Sequence, residues 1–273
     1  MANLLWMQTG ACSGDSMSLL NADGPSIEGL IRSGAFDLLW HPSLSDHPSG
    51  EFARLVERIE SGRQALDILC IEGSIITGPY GSSMFDSHRG RPKMQIAAAL
   101  AARARTVVAV GTCAAFGGVH AAPPNPSDAI GLQYDHAEPG GLLDADWRSA
   151  DGRPVINLAG RPVHPITRSL SMLASDTPID LDFLNRPRIF YSSTVHQGCT
   201  RNEYHEYDVE DHEPGGKACM YFNLGCQGPG TLANCNAELW NNRSSKTRAR
   251  PSFTAGTPTC ANWLTSSPGT SLP

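Results

Sequence analysis

The sequence predicts an α/β protein, with a parallel-sheet domain followed by a smaller, loop-rich domain that binds metal. Short apolar segments alternate with helical patterns up to about residue 180, the alternation then stops, and cysteines become frequent beyond that point. Alternating strands and helices favour a parallel sheet with right-handed crossovers, because each helix returns the chain across one face of the sheet. The 273 residues suffice for one large and one small domain.

Five short apolar segments have the length and composition of buried strands. Leucine, isoleucine and valine predominate in them, and glycine or proline follows most of them. We expect strands at Asn3–Gln8, Phe36–Trp40, Ala65–Glu72, Thr106–Val110 and Val155–Leu158.

Four other segments place apolar residues on one face of a helix. Thr9–Asp15 is instead a glycine-rich turn, and residues 117–153 are rich in glycine and proline with little periodicity. We interpret the latter as a long irregular excursion across the carboxyl ends of the strands. We expect helices at Ser26–Gly34, Gly50–Ser61, Pro92–Arg105 and Pro165–Ala174.

Composition and charge argue against several classes of protein. The net charge of −6 disfavours nucleic-acid binding as a main role. No apolar run reaches the roughly 18–20 residues of a membrane span, and the N-terminal residues lack the features of an export signal. We therefore expect a cytoplasmic protein whose thiols stay reduced, which favours metal binding over disulfides.

The densest chemical feature is the stretch from residue 196 to residue 235. It contains a Cys3His set that either zinc or an iron–sulfur cluster accepts, namely His196, Cys199, Cys219 and Cys226. Cys235 is then left over, as is Cys260 nearer the C-terminus. These spare soft ligands favour more than one metal centre.

A second group of candidate ligands lies at the predicted carboxyl edge of the sheet. Cys12 and Cys113 each follow the end of a strand, and such ends meet at one edge. Asp15 follows Cys12 at the spacing of a C-x-x-C pair, with a carboxylate in place of the second thiolate. Glu72 ends its strand at the same crevice. The alternative is that both cysteines are small buried hydrophobes, which is our interpretation of Cys70 within its strand.

Several motifs between Leu4 and about Ala249 together resemble the small, electron-transferring subunit of [NiFe] hydrogenases. They are L-W-M-Q-T-G-A-C-S-G-D-S-M-S-L-L-N-A, L-L-W-H-P-S-L-S, D-I-L-C-I-E-G-S, G-T-C-A-A-F-G-G, V-H-Q-G-C-T-R-N-E-Y-H-E-Y, N-L-G-C-Q-G-P and L-W-N-N-R-S-S-K-T-R. The C-S-G-D variant, without an export signal, is most similar to the actinobacterial-type, high-affinity uptake branch.

The resemblance implies a flavodoxin-like domain over residues 1–180, which carries the proximal cluster. A cluster-binding domain would follow over residues 181–250, and a divergent, disordered tail over residues 251–273. Iron–sulfur clusters of the [4Fe–4S] and [3Fe–4S] types would conduct electrons through the chain.

The resemblance also assigns ligands to these clusters. Cys12, Asp15 and Cys113 would bind the proximal cluster, with Glu72 nearby. Cys235 would be the first ligand of the medial cluster, for which Cys260 is a further candidate. The distal [4Fe–4S] cluster would be bound by His196, Cys199, Cys219 and Cys226.

Two departures from the family pattern concern these sites. The family's remaining proximal cysteine lies in a G-C-P-x-H-P loop, where this chain has Arg161 between Gly160 and Pro162. A guanidinium has no lone pair for iron, so a three-iron cluster, an outside ligand such as water and a damaged site all remain open. Beyond Ala249 the chain lacks the family's G-x-P-C-x-G-C-T medial motif, which suggests a frame change or a truncation.

The resemblance implies an oxidoreductase subunit that relays electrons and has no catalytic residue of its own. H2 would be split into two protons and two electrons at the [NiFe] centre of a separate large subunit. The expected assembly is a heterodimer, or a higher oligomer of heterodimers, that reduces a quinone, a cytochrome or a redox protein. We expect it in the cytoplasm, with any membrane association supplied by partners.

Other functions remain open on the sequence alone. The chain shares its motifs with the small subunits of hydrogen-sensing hydrogenases, and a zinc-stabilised interaction module would also accommodate the Cys3His set. The related quinone-side subunit of respiratory complex I carries a single cluster, so the His196-x-x-Cys199 set argues against it.

Overall fold

Five parallel strands form the central sheet of the computed structural model, which describes residues 1–160, 163, 165–213 and 216–234. Their spatial order is β5-β4-β3-β1-β2, and every pairing is parallel. This is the strand order of flavodoxin-like folds, so the predicted fold class is confirmed. The strands are β1 (Ala2–Gln8), β2 (Phe36–Trp40), β3 (Ile68–Glu72), β4 (Thr106–Val110) and β5 (Ile156–Leu158).

The carboxyl ends of four adjacent strands lie in register. Gln8 in β1 pairs with Glu72 in β3, Glu72 pairs with Val110 in β4, and Val110 pairs with Leu158 in β5. These residues therefore form one row across the sheet. Loops that leave the strands here start side by side, which brings together residues that are far apart in the sequence.

Helices cover both faces of the sheet and build a separate core on each. Successive residues of β1 alternate between the cores, with Leu4 and Trp6 in one and Leu5 and Met7 in the other. The helices of this part are α1 (Gly14–Leu20), α2 (Ile27–Arg32), α3 (Ser49–Glu60), α4 (Lys93–Ala101), α5 (Gly111–Phe116), α6 (Gly118–Ala121) and α7 (Ile166–Ala174). Side chains of α1, α2 and α7 line the first core, and those of α3, α4 and α5 line the second.

Among the short helices that the sequence did not predict, α1 and α5 each follow a strand of the sheet. α1 begins inside the predicted glycine-rich turn, directly after Ser13, whose φ is 62°. α5 begins at Gly111, whose φ is 90°. A left-handed residue at each start turns the chain sharply from strand into helix. Helices of this length show too little periodicity to be recognised from apolar spacing alone.

Apart from α6 and short strand pairs, the segment from residue 117 to residue 153 is irregular, as predicted, and packs over the carboxyl edge of the sheet. Leu132 N–H donates to the Ala114 carbonyl at 2.8 Å, and His136 N–H donates to the Phe116 carbonyl at 3.2 Å. These bonds fasten the segment to α5. The short antiparallel strand pairs around it are Ile75–Ile76 with Ala129–Ile130, Ser87–His88 with Arg91–Pro92, and Tyr134–Asp135 with Glu138–Pro139.

Beyond residue 180 the described chain consists of loops and short helices. Phe190 and Tyr191 pack into the same core as α3 and α4, and the Tyr191 hydroxyl donates to the Ala159 carbonyl at 2.6 Å. The described residues include no helix with the length and apolar character of a membrane span. The elements are α8 (Arg188–Tyr191), a 3-10 helix (Val195–Gly198), α9 (Asn202–Glu206) and α10 (Tyr221–Leu224).

Candidate metal centres

The first candidate centre, called here the sheet-edge site, consists of Cys12, Asp15 and Cys113 at the carboxyl edge of the sheet. Gly73, directly after β3, packs so closely on the loop of Cys12 that a Cβ atom there would lie 2.6 Å from its backbone. A Cβ atom on Gly111 would meet the Asp15 carboxylate, which therefore lies against the start of α5. Cys113 lies within α5 and is half-buried, whereas Cys12 is exposed. The structure thus brings the three predicted residues to one edge.

The loop after β5 orients the Asp15 carboxylate. Val163 N–H donates to Asp15 Oδ1 at 2.8 Å, and the Ser18 hydroxyl donates to the Val163 carbonyl at 2.6 Å. The same loop is tied to α5, because Thr112 N–H donates to the Gly160 carbonyl at 2.9 Å. The loop after β5 and the start of α5 therefore both fix the position of this carboxylate.

Glu72 closes β3 and organises the start of α1. Its buried carboxylate, only 1% exposed, accepts hydrogen bonds from Trp6 Nε1 at 2.9 Å and from Gln8 Nε2 at 3.0 Å. The backbone N–H groups of Asp15 and Ser16 donate to Oε1 at 3.1 and 3.2 Å, and the Ser16 hydroxyl donates to Oε2 at 2.5 Å. Glu72 thus lies close to Asp15, but its lone pairs serve to position α1.

His41 extends this network and was not among the residues that the sequence suggested. Its Nδ1 accepts a hydrogen bond from Ser43 N–H at 3.0 Å, so the ring proton lies on Nε2, which is 3.4 Å from Ser16 Oγ. Burial lowers the pKa of His41 to about 4, although the negative charge of Glu72 acts in the opposite direction. The neutral imidazole therefore presents its Nε2–H to Ser16 Oγ and helps to hold the Ser16 side chain in place. Its sequence signals are its place directly after β2 and within the L-L-W-H-P-S-L-S motif.

Cys70 behaves as its place in a strand predicted. It lies in the middle of β3 and is fully buried in the core formed with α2 and α7. Burial strongly raises the pKa of the Cys70 thiol. A neutral thiol within packed apolar side chains is a core residue and a poor ligand.

The second candidate centre, called here the Cys3His site, consists of His196, Cys199, Cys219 and Cys226. All four side chains line one cavity in the loop-rich part of the chain. The 3-10 helix carries His196 and ends next to Cys199, whose N–H donates to the His196 carbonyl at 3.0 Å. His196 N–H in turn donates to the Gly228 carbonyl at 3.1 Å. The four predicted ligands are therefore close together in the folded chain as well as in the sequence.

Each cysteine sulfur of the Cys3His site faces the backbone N–H of the residue two positions further on. Arg201 N–H donates to Cys199 Sγ and Gly228 N–H donates to Cys226 Sγ, both at 3.4 Å. Tyr221 N–H is the corresponding donor to Cys219. Such turns orient sulfur toward a shared centre and stabilise a thiolate. The arrangement fits three thiolate ligands better than three packed thiols.

Charged groups surround Cys219 in particular. Burial raises the pKa of its thiol, the Tyr221 N–H lowers it, and the Glu210 carboxylate raises it further. Arg201 holds the segment before Cys219, because its guanidinium donates to the carbonyls of Gly216 and Ala218 at 2.8 and 2.9 Å. A metal centre at this site would thus have to displace the Cys219 proton when it binds.

His205 and Glu210 are neighbours of this site that sequence reasoning missed. A ring nitrogen of His205, a Glu210 carboxylate oxygen and Cys219 Sγ lie within 4.8 Å of one another. His205 belongs to the Y-H-E-Y part of a motif already noted, but nothing in its spacing set it apart. Three predicted positions, Arg161, Cys235 and Cys260, lie outside the described residues.

Two family models cover most of the chain. A model of the 20 Kd subunit of NADH ubiquinone oxidoreductase matches residues 12–173. A model of the C-terminal part of the NiFe/NiFeSe hydrogenase small subunit matches residues 191–259. The second match covers the whole Cys3His site and separates this chain from the respiratory subunit.

Individual proteins agree with the second model. The periplasmic [NiFe] hydrogenase small subunit of Solidesulfovibrio fructosivorans is 31% identical over 252 residues, which cover 88% of this chain and 72% of that protein. The F420 non-reducing hydrogenase II small subunit of Methanosarcina mazei is 29% identical over 87% of this chain and 67% of that protein.

A solved structure extends the likeness to the fold. The actinobacterial-type NiFe-hydrogenase from Ralstonia eutropha H16 contains a chain that matches with a TM-score of 0.78 and 28% identity. The match covers 95% of this chain and 78% of that chain. The chain therefore belongs to the small subunits of [NiFe] hydrogenases and is one part of a hydrogenase oxidoreductase complex.

Proposed function

We propose that this chain is the electron-relay small subunit of an uptake [NiFe] hydrogenase. The observation that carries the proposal is the Cys3His site, in which His196 and three cysteines line one cavity. The backbone N–H donors to the sulfurs support thiolate ligands, and membership of the hydrogenase small subunits favours iron–sulfur over zinc.

The Cys3His site would hold the distal [4Fe–4S] cluster through His196, Cys199, Cys219 and Cys226. A bound cluster supplies one-electron transfer. The chain would contribute the ligands and donate backbone N–H groups to the sulfurs, both of which set the reduction potential of the cluster.

The sheet-edge site would hold the proximal cluster through Cys12, Asp15 and Cys113. Two sulfurs and one carboxylate oxygen suit iron, and Glu72 would act by keeping Asp15 in place. Arg161 leaves the fourth position without a protein ligand from the expected loop. Cys235, with Cys260 as the further candidate, would serve the medial cluster.

The proposed partner is a hydrogenase large subunit that carries the [NiFe] centre. Large apolar side chains on the helices and loops of the carboxyl edge are exposed, among them Met17, Tyr80 and Phe85. Contiguous exposed apolar surface marks subunit interfaces, and these side chains would contribute to such a surface. We further propose a cytoplasmic heterodimer, or an oligomer of heterodimers, that passes electrons to a quinone, a cytochrome or a redox protein.

Co-expression with the large subunit tests this function. The purified heterodimer should contain iron and acid-labile sulfide, show cluster signals in EPR spectra, and reduce a dye with H2 over many turnovers. Cys199→Ala should lower both the iron and the sulfide content, whereas the matched variant Cys70→Ala should not.

Two outcomes would reject the proposal. Stoichiometric zinc without acid-labile sulfide would favour the zinc-stabilised interaction module. Full cluster content with H2-dependent dye reduction at background level would favour a hydrogen-sensing subunit.

A further inference from the structure

His205 lies against one sulfur of the Cys3His site although it is not one of the predicted ligands. Its Nδ1 is 3.6 Å from Cys219 Sγ, and the ring lines the same cavity as the four predicted ligands. The two residues are 14 positions apart, so the contact is made by the fold rather than by a local turn.

Aromatic neighbours hold the His205 ring in this orientation. Its centroid is 4.9 Å from that of His196 and 5.4 Å from that of Tyr221, both in edge-to-face geometry. Phe222 stacks on it at 6.3 Å with an interplanar angle of 19°. These aromatic contacts restrict the rotation of the His205 ring. Contact of Nδ1 with the sulfur therefore costs little further side-chain entropy.

The chemistry of a ligating cysteine determines the direction of the hydrogen bond. A cysteine that binds a cluster is a thiolate, and a thiolate sulfur accepts hydrogen bonds but has no proton to donate. The shared proton must then lie on His205 Nδ1. Tyr221 N–H donates to the same sulfur from the backbone.

We propose that His205 donates a hydrogen bond from Nδ1 to Cys219 Sγ and thereby raises the reduction potential of the cluster bound at the Cys3His site. This inference rests on the proposed function, since it requires an iron–sulfur cluster at that site. Reduction adds negative charge to the cluster and its sulfurs, so a donor to sulfur stabilises the reduced state more than the oxidised state.

Glu210 has the opposite effect on the same sulfur. A Glu210 carboxylate oxygen lies within 4.8 Å of both a His205 ring nitrogen and Cys219 Sγ, and Phe222 N–H donates to Oε2 at 3.2 Å. A negative charge at this distance disfavours reduction of the cluster. Removal of the Glu210 charge should therefore shift the reduction potential in the direction opposite to removal of the His205 donor.

The test uses the heterodimer with its large subunit and follows the distal cluster in EPR-monitored redox titrations. His205→Phe keeps an aromatic ring between Tyr221 and Phe222 but removes the donor, and it should shift the midpoint potential to lower values. His205→Asn places an amide N–H close to the position of Nδ1 and should restore much of the wild-type potential. Glu210→Gln should shift the potential to higher values, and the exposed control His212→Asn should leave it unchanged.

A spectroscopic readout complements the potentials. With 15N-labelled histidine, pulsed EPR of the reduced cluster should show one strong coupling from the ligand His196 and a weak one from His205. The weak coupling should be absent in His205→Phe and present in His212→Asn.

The outcomes separate this inference from the proposed function. A wild-type potential in cluster-loaded His205→Phe would overturn the inference while leaving the proposed function intact. Loss of distal iron from both His205→Phe and His205→Asn would also overturn it, because His205 would then be a ligand or a structural support. A heterodimer without iron and sulfide would overturn the proposed function itself.

Discussion

The sheet-edge site draws its residues and their supports from four strand ends, whereas the Cys3His site draws all of its ligands from one stretch of chain. At the sheet edge, Asp15 is held by Glu72 from one strand and by Val163 from the loop after another. At the Cys3His site, the cysteine sulfurs receive N–H groups from their own neighbours in sequence. The first site is thus positioned by the fold, and the second by local turns.

This difference has a consequence for stability. The strands that lead to the sheet-edge site are buried on both faces, and apolar side chains pack against each face to form two cores. The loop-rich part contributes few side chains to these cores, and α9 and α10 contain no buried residue. A region with so little buried apolar surface would depend more on a bound centre for its stability.

The largest expected effect concerns the sheet edge. Cys113→Ala should reduce H2-dependent dye reduction to background while the heterodimer remains folded, because the variant removes a proposed cluster ligand. Cys70→Ala removes the same thiol from β3 nearby and should keep most of the activity. Equal activities in the two variants would show that Cys113 is only a packed thiol, and the comparison of the two sites would then fail.

The next prediction concerns Glu72. Glu72→Ala leaves buried donors, including Trp6 Nε1 and the N–H groups of Asp15 and Ser16, without their acceptor. We expect the free energy of unfolding to fall by about 3–5 kcal/mol, measured by chemical denaturation of the heterodimer. Glu72→Gln keeps the shape and one acceptor oxygen, so its loss should be smaller; a larger loss than for alanine would contradict this role.

The buried His41 beside the sheet-edge site predicts that the stability of the folded chain depends on pH. Because burial lowers its pKa to about 4 in the folded protein, its contribution to stability is complete above about pH 6.5 and declines as the pH falls toward 4. At pH 5 roughly 2 kcal/mol should be lost relative to pH 7.

The check compares melting temperatures of the wild type and His41→Gln at pH 7 and pH 5. The wild type should lose more than the variant on acidification, and the exposed control His47→Gln should follow the wild type. Parallel losses in wild type and His41→Gln would argue against a buried neutral imidazole.

The smallest expected effect concerns the 3-10 helix that carries His196. Gln197 Oε1 accepts the N–H of Thr194 at 2.9 Å and closes a capping box over the 3-10 helix. Gln197→Ala should cost about 1 kcal/mol. Because the proposed ligand His196 lies on this short element and Cys199 directly follows it, the variant should also speed the loss of iron to a chelator. An unchanged rate of iron release would show that the local turn does not hold the ligands.

The fold was predictable from the sequence because its strands are short, apolar and bounded. All five strands are present, and their ends differ from the predicted ones by at most the three residues that separate Ala65 from Ile68. α1 escaped prediction because its start depends on bonds from Asp15 and Ser16 to Glu72, which is distant in sequence.

The candidate ligands were also visible in the sequence, since cysteine and histidine are chemically distinctive at close spacing. The groups that support them were not. His41 and His205 act on Ser16 and Cys219 across contacts made only in the folded chain, and no periodicity or spacing marks such contacts. Residues that modify a site are therefore harder to predict than residues that form it.

We propose that the structure of the Cys3His region depends on a bound centre, whereas that of the sheet does not. Amide hydrogen exchange of the heterodimer, measured by mass spectrometry before and after removal of iron and sulfide, tests it directly. We predict that residues 195–213 and 216–234 lose most of their protection, while β1, β3 and β4 keep theirs. Unchanged protection in the Cys3His region, or equal loss in the sheet, would contradict the account.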